Sequence, residues 1–196
     1  MSVDPGVAQV LAFWFGEPAQ RALGHAREAW FRKDPSFDEA IRARFGVLVD
    51  EALAGGPADW ADPDHDDDAL ALLLVFDQFP RNLFRGDARA YALDARALAL
   101  ARRLVASGRD ACLRPVERAF VYLPFEHAES LADQREAVRL FGTLRGDAHA
   151  GGYVDWAVRH LEVIARFGRF PHRNDVLGRA STAQELAFLA QPGSRF

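Results

Sequence analysis

The chain is almost without lysine and cysteine. Of its 24 basic residues only Lys33 is a lysine, and Cys112 is the lone cysteine. A single thiol excludes an internal disulfide and fits a reducing compartment, so a cytoplasmic location is expected. Long apolar runs are missing as well, which excludes a helical membrane span and sets membrane aside as a partner. There is no basic excess: 24 Lys and Arg stand against 28 Asp and Glu, a net charge of −4. Phosphate backbones want a basic surface, so a general nucleic-acid binder is excluded too. No basic region precedes the apolar run Val7 to Phe15; Asp4 and Pro5 stand there instead. That run reads as a helix and not a signal peptide. Finally, no stretch alternates apolar and polar residues for long enough to make a strand.

What remains is ordinary for a globular protein. Hydrophobic residues make up 49% of 196, enough to bury a core, and the expectation is one domain over residues 1–196. The preference for arginine accompanies abundant alanine, a pairing that coding bias produces. Arginine position therefore carries information that arginine number does not.

Helix signals recur. Asp4-Pro5 supplies a cap and a first-turn proline before Val7 to Phe15, and Gly16 stops that helix. Asp34-Pro35 repeats the signal before Phe37, Ile41, Phe45, Leu48 and Ala52, which share a face, and Gly55-Gly56 ends it. Asp66 to Asp68 cap and charge the start of Ala69 to Gln78. Asp87 opens an Ala-rich helix from Ala88 to Ser107, and Pro115 another. Pro124 breaks or kinks the chain and starts a long helix to Leu144. Tyr153 to Phe167 follows, then a capping box at Thr182 to Glu185. Short loops between helices predict antiparallel neighbours, hence stacked helical hairpins. The acidic stretch Asp59 to Asp68 is the expected flexible loop.

Several polar residues fall where a core face should be apolar. Along the helix after Pro124, Leu131, Val138 and Phe141 make a stripe whose backward projection is Gln134, Ser130, His127 and Glu126. Buried polar groups cost free energy unless paired. This half of the stripe therefore faces a pocket or polar network, or else emerges into solvent. If it serves a pocket, a leucine at Gln134 should fill the stripe. His160 lies on the face of Tyr153, Trp156, Ile164 and Phe167 and reads first as a hydrogen-bonded core histidine. Asp77 belongs to a helix that is apolar all round, so it must be paired, capped or protonated, and the expected partner is Arg81, Arg169 or Arg173.

One phrase occurs twice. Phe79-Pro80-Arg81-Asn82 follows one apolar helix, and Phe170-Pro171-His172-Arg173-Asn174 follows another. Two loops of one composition point to one shared job, with Arg81 and Asn82 near His172, Arg173, Asn174 and His127. Paired arginines repel unless an acid or a bound anion lies between them. Asp77, Glu126 and Glu129 are the acids expected to serve. If they do, the site is a closed ion-pair network and the protein a scaffold.

These segments, with Phe13-Trp14-Phe15-Gly16, Trp30-Phe31, Leu123 to Glu129 and Leu177-Gly178-Arg179, resemble a bacterial family, domain of unknown function number 924. The resemblance covers nearly the whole chain and implies an all-α, tetratricopeptide-like superhelix of stacked antiparallel hairpins. It implies no established activity. The family usually carries serine where Ala128 stands, so a catalytic hydroxyl at that place would be missing here.

Two classes of function are left open. In the first, the protein is an enzyme or binder whose pocket is lined by Asp77, Gln78, Arg81, Asn82, Arg169, His172, Arg173 and Asn174. The arginines hold an anionic small molecule, and His127 or His160 moves protons with Glu126 or Glu129. In the second, a helical superhelix presents a groove to a peptide. No nucleophile elbow, phosphate loop or dinucleotide fingerprint is present, so no cofactor is expected. Metal binding ranks last, because no His-x-x-x-His or Glu-x-x-His spacing appears.

Overall fold

The computed structural model describes residues 5–56 and 61–194, and those residues form an all-α fold. Helix α1 (Pro5–Phe15) ends at Gly16, whose φ of 92° turns the chain. The cap assigned to Asp4 lies outside the described residues. After the short α2 (Pro18–Arg21) comes α3 (Pro35–Leu53), opened as expected. The Asp34 carboxylate accepts from the backbone N–H of Ser36 and Phe37, and Pro35 occupies the first turn. Trp14 is the centre of the core. Its ring lies 5.6–6.2 Å from those of Trp30, Phe37, Phe79 and Phe120, so one side chain ties four segments together. Each such pair adds about 0.5–1.5 kcal/mol beyond its area burial.

The first Phe-Pro phrase does not close a helix. Helix α4 (Asp66–Leu73) runs into a π-helical turn, Leu74–Gln78, and continues as α5 (Phe79–Leu83). A proline inside an α-helix clashes with the carbonyl four residues back and lacks a donor. The wider turn, in which Phe79 N–H reaches Leu74 O, carries the chain past that clash. Every residue from Ala69 to Pro80 is buried, so this rod is central as expected. It packs against α1, α3, α6 (Asp94–Ala106) and α7 (Pro115–Glu126).

Two further boundaries differ from expectation. The Ala-rich stretch splits into a 3-10 turn, Ala88–Tyr91, and α6, because Asp87 caps only the short turn by accepting from Arg89 N–H. Pro124 does not start a helix either; it sits inside α7, two residues before its end, where few backbone bonds remain to be lost. The next helix, α8 (Leu131–Gly142), starts at Ser130, whose hydroxyl caps Asp133 N–H. Helices α6, α7, α8 and α9 (Tyr153–Phe167) then pack on one another in chain order, and α10 (Ala183–Leu189) follows the Thr182 capping box. Of the acidic stretch, Asp59 and Trp60 lie outside the described residues. Its described part is tethered by Arg103 to Asp64 and by Arg109 to Asp66.

The break before α8 changes how Gln134 must be read. Glu126 and His127 end one helix, and Gln134 stands on the next, so they share no continuous stripe. The turn nevertheless buries Gln134 completely, at 0% exposure. Its amide nitrogen donates to the carbonyls of Glu126 and Ala128, the latter at 2.8 Å, and so satisfies the open end of α7. Gln134→Leu is therefore expected to lower stability by about 1–3 kcal/mol, since the buried Glu126 carbonyl and the half-buried Ala128 carbonyl lose their donor. A urea midpoint equal to or above that of the parent protein would show the capping role to be wrong.

Candidate functional site

The second Phe-Pro phrase is aimed by a glycine. Gly168, with φ of 70°, ends α9 in the left-handed conformation that side chains avoid, and the chain turns back as Pro171–Arg173. Glu129 clamps this loop: it accepts Phe170 N–H at 2.7 Å and pairs with Arg179 through two bonds of 2.6 and 2.9 Å. Arg169 pairs with Glu185 from outside, and Asn174 donates to Ser181 Oγ. These three candidates, Glu129, Arg169 and Asn174, hold the loop in place and do not reach the cavity it borders.

That cavity has a volume of about 600 Å³. It brings together Gln78, Arg81 and Asn82 from the first phrase, His172 and Arg173 from the second, and His127 and His160. Lys33, Arg85, Trp30, Phe31 and Tyr91 also line its wall, which includes no carboxylate among the described residues. The acids stand behind the wall. Arg81 is held through both nitrogens by Asp94 at 2.9 and 3.0 Å, and Arg173 shares the same carboxylate at 3.3 Å. Tyr91 lies under both guanidinium groups, with its ring centre 5.6 Å from Arg81 and 4.6 Å from Arg173. Arg85 is held by Asp38 at 2.8 and 2.9 Å, and Asn82 donates to the same acid at 2.7 Å.

Asp94 is thus the acid between the paired arginines, a role expected of Asp77, Glu126 or Glu129. It was not legible because Ala88 to Ser107 reads as one helix, on which Asp94 is an ordinary surface acid. Only the break at Leu93 puts it in the first turn of α6, facing Arg81. Trp30 and Phe31 belonged to the family pattern, but nothing in their residue types placed them at a cavity.

Asp77 lies directly behind His127 and is 1% exposed. Its carboxylate meets His127 Nδ1 at 2.7 Å, Gln78 Nε2 at 2.6 Å and Arg81 Nη1 at 3.2 Å, so the expected arginine partner is Arg81. Burial opposes its charge, yet Arg81 and His127 hold it well below the usual carboxylate range. An ionised carboxylate only accepts, so the Nδ1 of His127 carries the proton and Nε2 keeps its lone pair. Burial and the Arg81 charge hold the pKa of His127 below its ordinary value, against the pull of Asp77.

A second polar pair lies deeper. His160 Nδ1 faces Trp156 O at 2.9 Å and Glu126 Oε1 at 3.2 Å. Burial lowers His160 to about 3, so it is neutral at pH 7. Burial, with Asp77 nearby, raises Glu126 to about 8, which keeps its carboxyl protonated there. Contrary to the face read from the sequence, Trp156 is not in the core but 51% exposed. Among the described residues no group of three or more His, Cys, Asp or Glu side chains is placed to hold a metal ion.

The chain matches the family model described as a bacterial protein of unknown function, DUF924, over residues 10–193. It is also similar to a solved structure, that of the protein of unknown function ATU0120 from Agrobacterium tumefaciens. The two are 36% identical and superpose with a TM-score of 0.80, covering 94% of this chain and 96% of that one. Among curated proteins none is a match. A family match over nearly the whole length, joined to a fold shared at this identity, is decisive: the chain belongs to the DUF924 family of bacterial proteins.

Proposed function

We propose that the cavity between the two Phe-Pro segments binds a small anionic molecule, with His127 as its acid–base group. The observation that carries this reading is the cationic wall: four cations, Lys33, Arg81, Arg85 and Arg173, the three arginines each held by a carboxylate behind the wall. Desolvation adds to it. Burial and the neighbouring Arg81 lower Arg173 to about 10, against the pull of Asp94, and its Nε has no acceptor among the described residues. An anion at that place relieves both. Asp77 fixes the tautomer of His127, so Nε2 can take a proton from the ligand or from water and return it. The wall offers no serine, threonine or cysteine, so covalent catalysis by a hydroxyl or thiol is not part of the reading.

A second reading has one observation in its favour. Asp94 already lies between Arg81 and Arg173, as a closed network would require. On that reading the consecutive packing of α6 to α9 forms a tetratricopeptide-like scaffold for a peptide. The lone Cys112 and the absence of a membrane-length apolar helix among the described residues fit a cytoplasmic setting for either.

Thermal melting with inorganic phosphate or acetate, against chloride at equal ionic strength, separates the two. A bound anion at about 100 times its Kd adds about 2.7 kcal/mol, which is roughly 5–10 °C for a chain of this size. Lys33→Ala with Arg85→Ala, both at exposed positions, is expected to remove most of that rise. No rise beyond the chloride control would leave the scaffold reading standing.

A further inference from the structure

Behind His127 and His160 lies a second cavity of about 440 Å³, lined by Phe31, Leu123, Glu126, His127, Tyr153, Trp156 and His160. It shares Phe31, His127 and His160 with the cationic cavity, so the same three side chains wall both. The two differ in chemistry. The first is cationic, whereas the second is built of aromatic and aliphatic groups around one carboxyl. Phe31 and Trp156 are 57% and 51% exposed, although large aromatic rings are ordinarily covered. Glu126 is the reverse: it is only 4% exposed, and its Oε2 has no hydrogen-bond partner among the described residues.

We propose that the two cavities are subsites for one ligand: a monocarboxylate whose aromatic arm enters the Phe31–Trp156 subsite and presents a carbonyl or ether oxygen to Glu126. The inference rests on the anion-binding reading above and names its ligand class. Charge selects a monoanion. The four cations of the wall stand against Asp38, Asp77 and Asp94, which leaves one positive charge in excess, a match for one carboxylate. Shape and polarity select the arm, since flat apolar rings fit between exposed aromatic side chains and offset-stack on them. Hydrogen bonding selects the oxygen. A protonated carboxyl is a donor, and among the described residues the protein offers Glu126 Oε2 no acceptor. The nearby His160 Nδ1 is itself a donor, to Trp156 O.

Calorimetry with a graded series tests this: acetate, phenylacetate, phenylpropanoate, phenylbutanoate and benzoylpropanoate. The arm should bring at least about a tenfold gain over acetate at its best length, as burying an aryl ring does. The ketone of benzoylpropanoate should bind tighter than phenylbutanoate, which has the same arm without the acceptor. Glu126→Leu is expected to abolish that ketone preference, and Glu126→Gln, which keeps a donor, to retain it. Leu123→Trp fills the subsite and should return every aryl acid to the affinity of acetate. Acetate and the aryl acids binding equally would overturn the two-subsite inference and leave the anion site intact. No carboxylate binding at all would overturn the anion site as well. A ketone preference that survives Glu126→Leu would remove Glu126 from the inference.

Discussion

Asp77→Asn is expected to destabilise the protein by about 3–5 kcal/mol, the cost of breaking a buried ion pair from one side. The asparagine has the right size, so the loss is electrostatic and not a cavity. The Asp77 carboxylate accepts from His127 and Gln78 at 2.7 and 2.6 Å and forms an ion pair with Arg81 at 3.2 Å. An amide keeps one acceptor oxygen and turns its NH₂ against the remaining donors. Arg81 retains Asp94, which limits the damage, but the buried rod from Ala69 to Pro80 has no water to offer the rest. For a chain near 200 residues this is roughly 6–20 °C of melting temperature. The pH dependence has a definite sign. The folded carboxyl titrates below its ordinary value of 3.8, so the stabilisation is fully present above that value. It is lost as pH falls through the folded pKa, and the gap between parent and variant should close in acid. Equal melting temperatures at neutral pH would show that the Asp77 contacts carry no net energy. Adding His127→Ala should recover part of the loss, because one donor no longer faces the amide.

Legibility of the sequence followed a physical line. Helix existence was readable because caps and prolines act locally: Asp34-Pro35, Pro115 and Thr182 each begin a helix where their chemistry says. Burial of Asp77 was readable because an all-apolar helix leaves an acid nowhere dry and unpaired. Prolines misled where tertiary packing outvotes them. Pro80 is absorbed by a π turn and Pro124 by the last turn of α7, so neither marks the boundary it would mark in an isolated helix. The convergence of the two Phe-Pro segments was legible as repetition, and seven of the twelve candidate residues line one cavity. Asp77 stands behind that wall, Glu126 lines the neighbouring cavity, and Glu129, Arg169 and Asn174 became braces. The assignment of acids was not legible. Which carboxylate meets which guanidinium depends on contacts such as Arg173 to Asp94, 79 positions apart, and on a helix break that composition does not announce.

Glu126→Gln is the variant with the largest expected change in pH response. Its carboxyl is buried, and burial together with the Asp77 charge raises its folded pKa from 4.5 to about 8. A raised pKa means that the neutral acid fits the fold and the carboxylate does not. Below about 4.5 both folded and unfolded chains hold the proton, and the parent protein carries the full benefit of a neutral group. As pH rises, the unfolded chain ionises first and the folded chain must keep or lose its proton at a cost. Stability therefore falls across the window from 4.5 to about 8 and is level above it. A tenfold change in proton affinity is worth about 1.4 kcal/mol, so the total loss is about 3–5 kcal/mol, most of it already gone at neutral pH. Glutamine cannot ionise and escapes this loss. Whatever constant offset the amide brings, the difference between variant and parent should move in the variant's favour from acid to alkali. Urea unfolding at several pH values across the window measures it directly. Parallel pH profiles for the two proteins would mean that Glu126 is ionised in the fold, and its role as a neutral donor would go with it. Removing the Asp77 charge supplies an internal control, since Glu126 should then titrate lower and the window should narrow from its upper end.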